Sequence, residues 1–196
     1  PRAQSPSELG PPATLTRDDE IRTLARPVLS PDEASALWQS EAELSRAPAL
    51  VAFLDRQVSR TALHEAQHRV DFSRGLKAAP AVVKRLGATS SLADDTNAEM
   101  SAYIAEIAHS PATSRTSIAR LVAIASMDEL AGQPESVAAR AILELLAAEL
   151  AVEAAEPSTG SWLAAIKDRA AEELSEAARR VWQTQYGRPL GTLRAD

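Results

Sequence analysis

Cysteine is absent from the 196 residues. Disulfides and thiolate ligands are therefore excluded, and any metal must be held by His, Asp or Glu. Aromatic residues make up only 4% of the chain, and the abundant alanine suits closely packed helices. No apolar run is long enough to span a bilayer. Positive charge is outnumbered, with 21 Lys and Arg against 27 Asp and Glu. The net charge of −6 leaves no basic footprint for nucleic acid. There is no glycine-rich phosphate loop and no internal repeat. Histidine is scarce too: there are three, and two of them, His64 and His68, stand four residues apart.

Those two belong to the pattern His-Glu-x-x-His, formed by His64, Glu65 and His68. Between Pro48 and Gly75 there is no Pro or Gly, and Leu50, Phe53, Leu54, Val58, Leu63 and Val70 recur at helical spacing. The pattern predicts a helix from Pro48 to about Ser73, stopped by Gly75. Residues four apart on a helix lie about 40° apart round the axis, so the two imidazoles can converge on one ion. Zinc accepts such nitrogen ligands and prefers four ligands in a tetrahedron. Glu65 points roughly 100° away from His64 and can sit beside the ion as general base to a metal-activated water. Gln57, Arg60 and Asp71 share the histidine stripe. Arg60 is read as a solvated or ion-paired side chain, or one that steers an acidic substrate group.

The rest of the chain reads as helix after helix. Residues 1–16, rich in Pro and Ser, predict a flexible arm or linker. Residues 17–196 predict one helical domain. A short helix is expected at 18–25 and another from Ser30, where Ser-Pro-Asp-Glu is a strong start. Residues 80–86 read as a short helix or an edge strand, and 87–95 as a loop. A second site-bearing helix is expected from Asp95 or Thr96 to His109. Further helices are expected at 113–131, from Pro134, and at 161–186 after a loop at 156–160. Trp182 and Tyr186 read as core rather than pocket. The expected fold is a mainly α bundle with the His-Glu-x-x-His helix and the Glu99 helix in its core.

Three carboxylates compete to be a third ligand: Glu99, Glu106 and Asp71. Asp71 lies nearly two turns beyond His64 on the same helix and can approach an ion only from the His68 end. Glu99, Tyr103 and Glu106 share one face of the second helix. The two glutamates are seven residues apart, so both cannot easily reach one ion. The one left over can hydrogen-bond a ligand histidine or Tyr103. Glu99 stands nearer the helix start, beside the loop that would rim a cleft.

His64-Glu65-x-x-His68 with Glu99 downstream resembles the gluzincin branch of the zinc metallopeptidases, over about residues 50–110. The resemblance implies His64, His68 and Glu99 as zinc ligands, Glu65 as general base, and a peptide or protein substrate. The metzincin pattern would need Gly at Asp71 and His or Asp at Arg74, and neither is present. The better-known gluzincins also carry a sheet whose edge strand holds the peptide, and no strand set is legible here. Asp71, Tyr103 and Glu106 are candidates to support ligands or the transition state, with Tyr186, His109 and the arginines as further oxyanion donors. The expected function is a zinc-dependent metallopeptidase or amide hydrolase. The alternative is a helical interaction or structural protein that keeps a zinc site without peptidase activity. The first residue, Pro1, fits an exported protein whose signal has been removed, in the periplasm or outside the cell.

Overall fold

The structure is a computed structural model that describes residues 48–151, 166 and 169–193. The arm at 1–16, the helices expected near Asp18 and after Ser30, the loop at 156–160 and the start of the helix expected at 161 lie outside the described residues. Six α-helices are found among the described residues, with no strand. They are α1 (Pro48–Arg74), α2 (Pro80–Leu86), α3 (Ser91–His109), α4 (Pro111–Ser126), α5 (Pro134–Glu149) and α6 (Ala171–Tyr186). None is long and apolar enough to cross a membrane.

Local sequence explains where these helices begin and end. Four of them, α1, α2, α4 and α5, begin on a proline, where its missing N–H and fixed φ are harmless. Helix α1 stops at Gly75, whose φ of +66° suits glycine and whose N–H closes on the Asp71 carbonyl at 3.0 Å. The stretch 80–86, ambiguous between helix and edge strand, is helical and buries Val82.

Three expected boundaries move. Helix α3 starts at Ser91, four residues before Asp95. Ser90 caps it by accepting from the Ala93 N–H at 3.0 Å, and Asp94 then lies in a first turn whose dipole favours acid. Helix α4 ends at Ser126, because Met127 is extended and Asp128–Leu130 forms a separate 3₁₀ turn before Gly132. The helix expected across 161–186 is broken at Arg169 and Ala170. The Arg169 guanidinium donates to the Leu150 carbonyl at 2.9 Å, and its own carbonyl accepts from Arg115 at 2.5 Å. These contacts tie Arg169, just ahead of α6, to the end of α5 and to α4.

Helix α3 is the centre of the bundle. Every residue from Ser101 to Ala108 is buried, because α1, α4, α5 and α6 all pack against it. Small residues permit the close approach: Ala102, Ala105 and Ala108 on α3, Ala138, Ala139 and Ala141 on α5, and Ala177 and Ala178 on α6. Met100, Ile104 and Ile107 are fully buried with Ile118, Leu121, Ile142, Leu146 and Leu174, as their spacing predicts. Trp182 is buried in this core and stacks, tilted, on Tyr186.

Polar ties fix the ends. Asn97 accepts from the Ala79 N–H at 2.8 Å and donates to the Lys77 carbonyl at 3.2 Å, and so anchors the 75–79 connection to α3. The Ser175 hydroxyl donates to the Ile107 carbonyl at 2.8 Å. The tie that matters for the site runs through Asp71. Its two oxygens accept from Gln67 at 2.7 Å and from the Ser101 hydroxyl at 2.5 Å. Burial raises the Asp71 pKa above the ordinary aspartate value against these hydrogen bonds. The carboxylate thereby clips the motif helix to the central helix.

Replacing Asp71 with Ala removes both acceptors and leaves two donors buried without partners. The expected loss is about 2–4 kcal/mol of unfolding free energy, read from urea denaturation. A loss under about 0.5 kcal/mol, the range of ordinary surface changes, would show that this clip does not hold α1.

Candidate metal centre

Helix α1 presents His64 and His68 one turn apart, and α3 presents Glu99, Tyr103 and Glu106 across from them. His64 is 9% exposed. The two imidazoles meet edge to face, with their Nε2 atoms 3.1 Å apart. Glu99 reaches both: one oxygen lies 3.6 Å from His64 Nε2 and the other 3.5 Å from His68 Nε2. These are the only residues among those described whose His and carboxylate atoms gather closely enough to hold a metal ion as a group of three.

The separations can be tested against zinc geometry. Two donors on a tetrahedral ion with bonds of about 2.0–2.1 Å stand about 3.3–3.4 Å apart. The three measured separations, 3.1, 3.5 and 3.6 Å, bracket that value. The donor set fits an ion with nitrogen and oxygen ligands.

Glu106 stands on the other side of His64. It is fully buried, and its oxygen lies 3.4 Å from His64 Nδ1. Its second oxygen lies 3.5 Å from Arg60 Nε. Both contacts are at ion-pair range without hydrogen-bond geometry, so His64 Nδ1, Arg60 Nε and both Glu106 oxygens have no hydrogen-bond partner. A short adjustment of the chain Arg60–Glu106–His64 would close it. An Nδ1–H directed at Glu106 leaves the Nε2 lone pair for an ion, the arrangement in which carboxylates orient ligand histidines.

Each candidate from the sequence now has a place. His64, His68 and Glu99 come together. Glu106 touches the outer nitrogen of His64, and Arg60 is paired to Glu106 rather than solvated. Asp71 is occupied by Gln67 and Ser101 and does not join the group. Tyr103 is buried, with its ring edge-to-face on His64 at 4.7 Å and the Arg120 guanidinium 5.6 Å from its centre. Tyr186 lies beside Asn97, its hydroxyl 3.4 Å from the side-chain oxygen. His109 ends α3, ten residues beyond Glu99. Glu65 is exposed on α1. It shares an open depression with His68, Arg69 and Phe72. Sequence reading missed Arg69 and Phe72. Their spacing, four residues after Glu65 and His68 respectively, was the available signal.

The chain matches no known protein family, no curated protein and no solved structure in the comparisons made.

The charges of the metal-free cluster support one another. Burial disfavours protonated His64 and is the largest single influence, yet Glu106 and Glu99 outweigh it and push the pKa up to about 9 from 6.5. Burial likewise disfavours ionised Glu99, yet His64 and His68 outweigh it and hold the pKa down at about 2 from 4.5. A raised histidine stabilises fully below pH 6.5 and loses that contribution as pH climbs through 9. A depressed carboxylate stabilises fully above pH 4.5 and loses its contribution as pH falls through 2. Both contributions are complete only between pH 4.5 and 6.5. The melting temperature of chelator-treated protein should peak in that window, and His64→Gln should flatten the alkaline limb. An alkaline limb identical in the variant would remove His64 as its origin.

Proposed function

We propose that this chain is a zinc-dependent metallopeptidase or related amide hydrolase. The observation that carries the reading is the spacing of the His64, His68 and Glu99 donor atoms, which matches the edges of a tetrahedral site, with Glu65 in the same open depression as His68. The gluzincin resemblance of the motif supports it independently.

On this reading His64, His68 and Glu99 hold the ion. When bound, zinc supplies Lewis acidity, which makes a water acidic near neutral pH and polarises a carbonyl. The chain's own residues do the rest. Glu106 fixes the ring of His64 through Nδ1, and Arg60 holds the charge of Glu106 in place. Glu65 takes a proton from the attacking water as its oxygen joins the carbonyl carbon. It returns that proton to the amide nitrogen as the carbon–nitrogen bond breaks, and the products are a carboxylate and an amine. No strand is found among the described residues to line up a peptide, so the substrate contacts these residues offer are helix side chains. That same observation favours the second reading, a helical protein with a zinc site that holds structure and cleaves nothing.

Native protein purified without chelator should carry about one zinc per chain, measured by elemental analysis. Glu65→Gln should keep the zinc and lose hydrolysis of a peptide mixture by about 10²–10⁴-fold. Glu99→Ala should weaken zinc binding by more than the ~10–100-fold expected for Glu106→Gln, since Glu106 touches only the outer nitrogen of a ligand. Full turnover in Glu65→Gln would reassign the base. Zinc with no cleavage by the native protein would select the structural reading.

A further inference from the structure

We propose that Arg69 and Phe72 form the substrate-binding side of this centre and select a peptide that carries a bulky apolar side chain next to a carboxylate. The inference rests on the hydrolase reading above and adds the class of substrate.

Side-chain exposure rises from Glu106 at 0%, through His64 at 11%, to Glu99 at 22% and His68 at 26%. Solvent, and therefore a substrate, reaches the donor atoms from the His68 and Glu99 side. Among the described residues the open depression on that side is lined by Glu65, His68, Arg69 and Phe72. Glu65 and Arg69 are one turn apart, as are His68 and Phe72, so all four lie along the exposed flank of α1.

The two residues not used by the chemistry are both exposed. Arg69 is exposed, and no ion pair joins it to a carboxylate among the described residues. A guanidinium presents a planar fork that matches a carboxylate in two-pronged fashion. Arg60, the other arginine of this helix near the site, is unavailable because it faces the buried Glu106. Phe72 is 95% exposed, although phenylalanine is among the residues most often buried. A side chain lying on that ring removes apolar area from water on both partners. The cation and the ring are three residues apart on one helix face, which suits adjacent positions of an extended peptide. The tyrosines offer no alternative: buried Tyr103 packs under His64, and partly buried Tyr186 lies beside Asn97.

The test uses fluorescein-labelled peptides of equal length whose binding is read by fluorescence polarisation, with cleavage read separately by mass spectrometry. One peptide has Leu followed by a C-terminal carboxylate, a second has the same terminus amidated, and a third has Leu followed by an internal Asp. A fourth replaces Leu with Ser. Native protein should bind one or both Leu–carboxylate peptides, and the first and third separate a terminal from a side-chain carboxylate. Arg69→Gln should weaken that binding by about 10–100-fold and leave the amidated peptide unaffected. Phe72→Ser should weaken it by about tenfold and erase the difference between Leu and Ser. Both residues are exposed, so the variants should fold, and unchanged circular dichroism and zinc content verify it. The inference is overturned if no peptide binds, if neither variant changes binding, or if amidated and Ser peptides bind as well as the others. Selective binding without cleavage would sink the hydrolase reading and leave the subsite standing. Cleavage that ignores Arg69 and Phe72 would do the reverse.

Discussion

A carboxylate without any exposed surface stands between the motif helix and the central helix of this protein. Glu106 sits on the central helix, in a run of eight buried residues. An ionised carboxylate in such a place is tolerated only beside opposite charge or strong donors. Arg60 and His64, both from α1, are the groups that face it. The requirement therefore fixes how α1 sits against α3, and with it the direction of the His64 ring. Once His64 Nδ1 is turned to Glu106, Nε2 is left facing His68 and Glu99. Asp71, clipped to Ser101 one turn further along α1, holds the same pair of helices from the other end of the cluster.

Much of this arrangement was legible in the sequence, and what was missed has physical causes. The His-Glu-x-x-His helix could be bounded because Pro48 and Gly75 are unambiguous stops. Glu99 is favoured over Glu106 because it stands nearer the helix start, beside the loop, and because the gluzincin resemblance implies it; the seven-residue spacing says only that both cannot easily reach one ion. Asp71 stays among the candidate ligands and supports, because sequence does not show that Ser101, thirty residues away, would occupy it. The start of α3 was placed late because Asp94 and Asp95 resemble loop residues. They are also good first-turn residues once Ser90 caps the helix. The two faces of α3 could be separated by period, yet nothing local reveals that neighbours cover both. Arg60 reads as solvated or ion-paired without a named partner for that reason: the partner, Glu106, is buried on another helix.

The absence of strands among the described residues shapes the functional proposal. Among the described residues a peptide finds no sheet edge to join, and what they offer it are side chains projecting from helices. The exposed flank of α1 supplies a carboxylate, an imidazole, a guanidinium and an aromatic ring within eight residues. The deep side of the same helix supplies the pairing that orients the histidines. One helix thus presents the proposed chemistry outward and its support inward, with α3 contributing the remaining carboxylates.

On the proposed reading His64, His68 and Glu99 together hold one zinc ion. Zinc-edge X-ray absorption of the zinc-loaded protein examines this. The spectrum should show four ligands at about 2.0–2.1 Å, with the multiple-scattering signature of two imidazoles that falls to one in His68→Ala. A spectrum of oxygen ligands alone, or one unchanged in that variant, would contradict it.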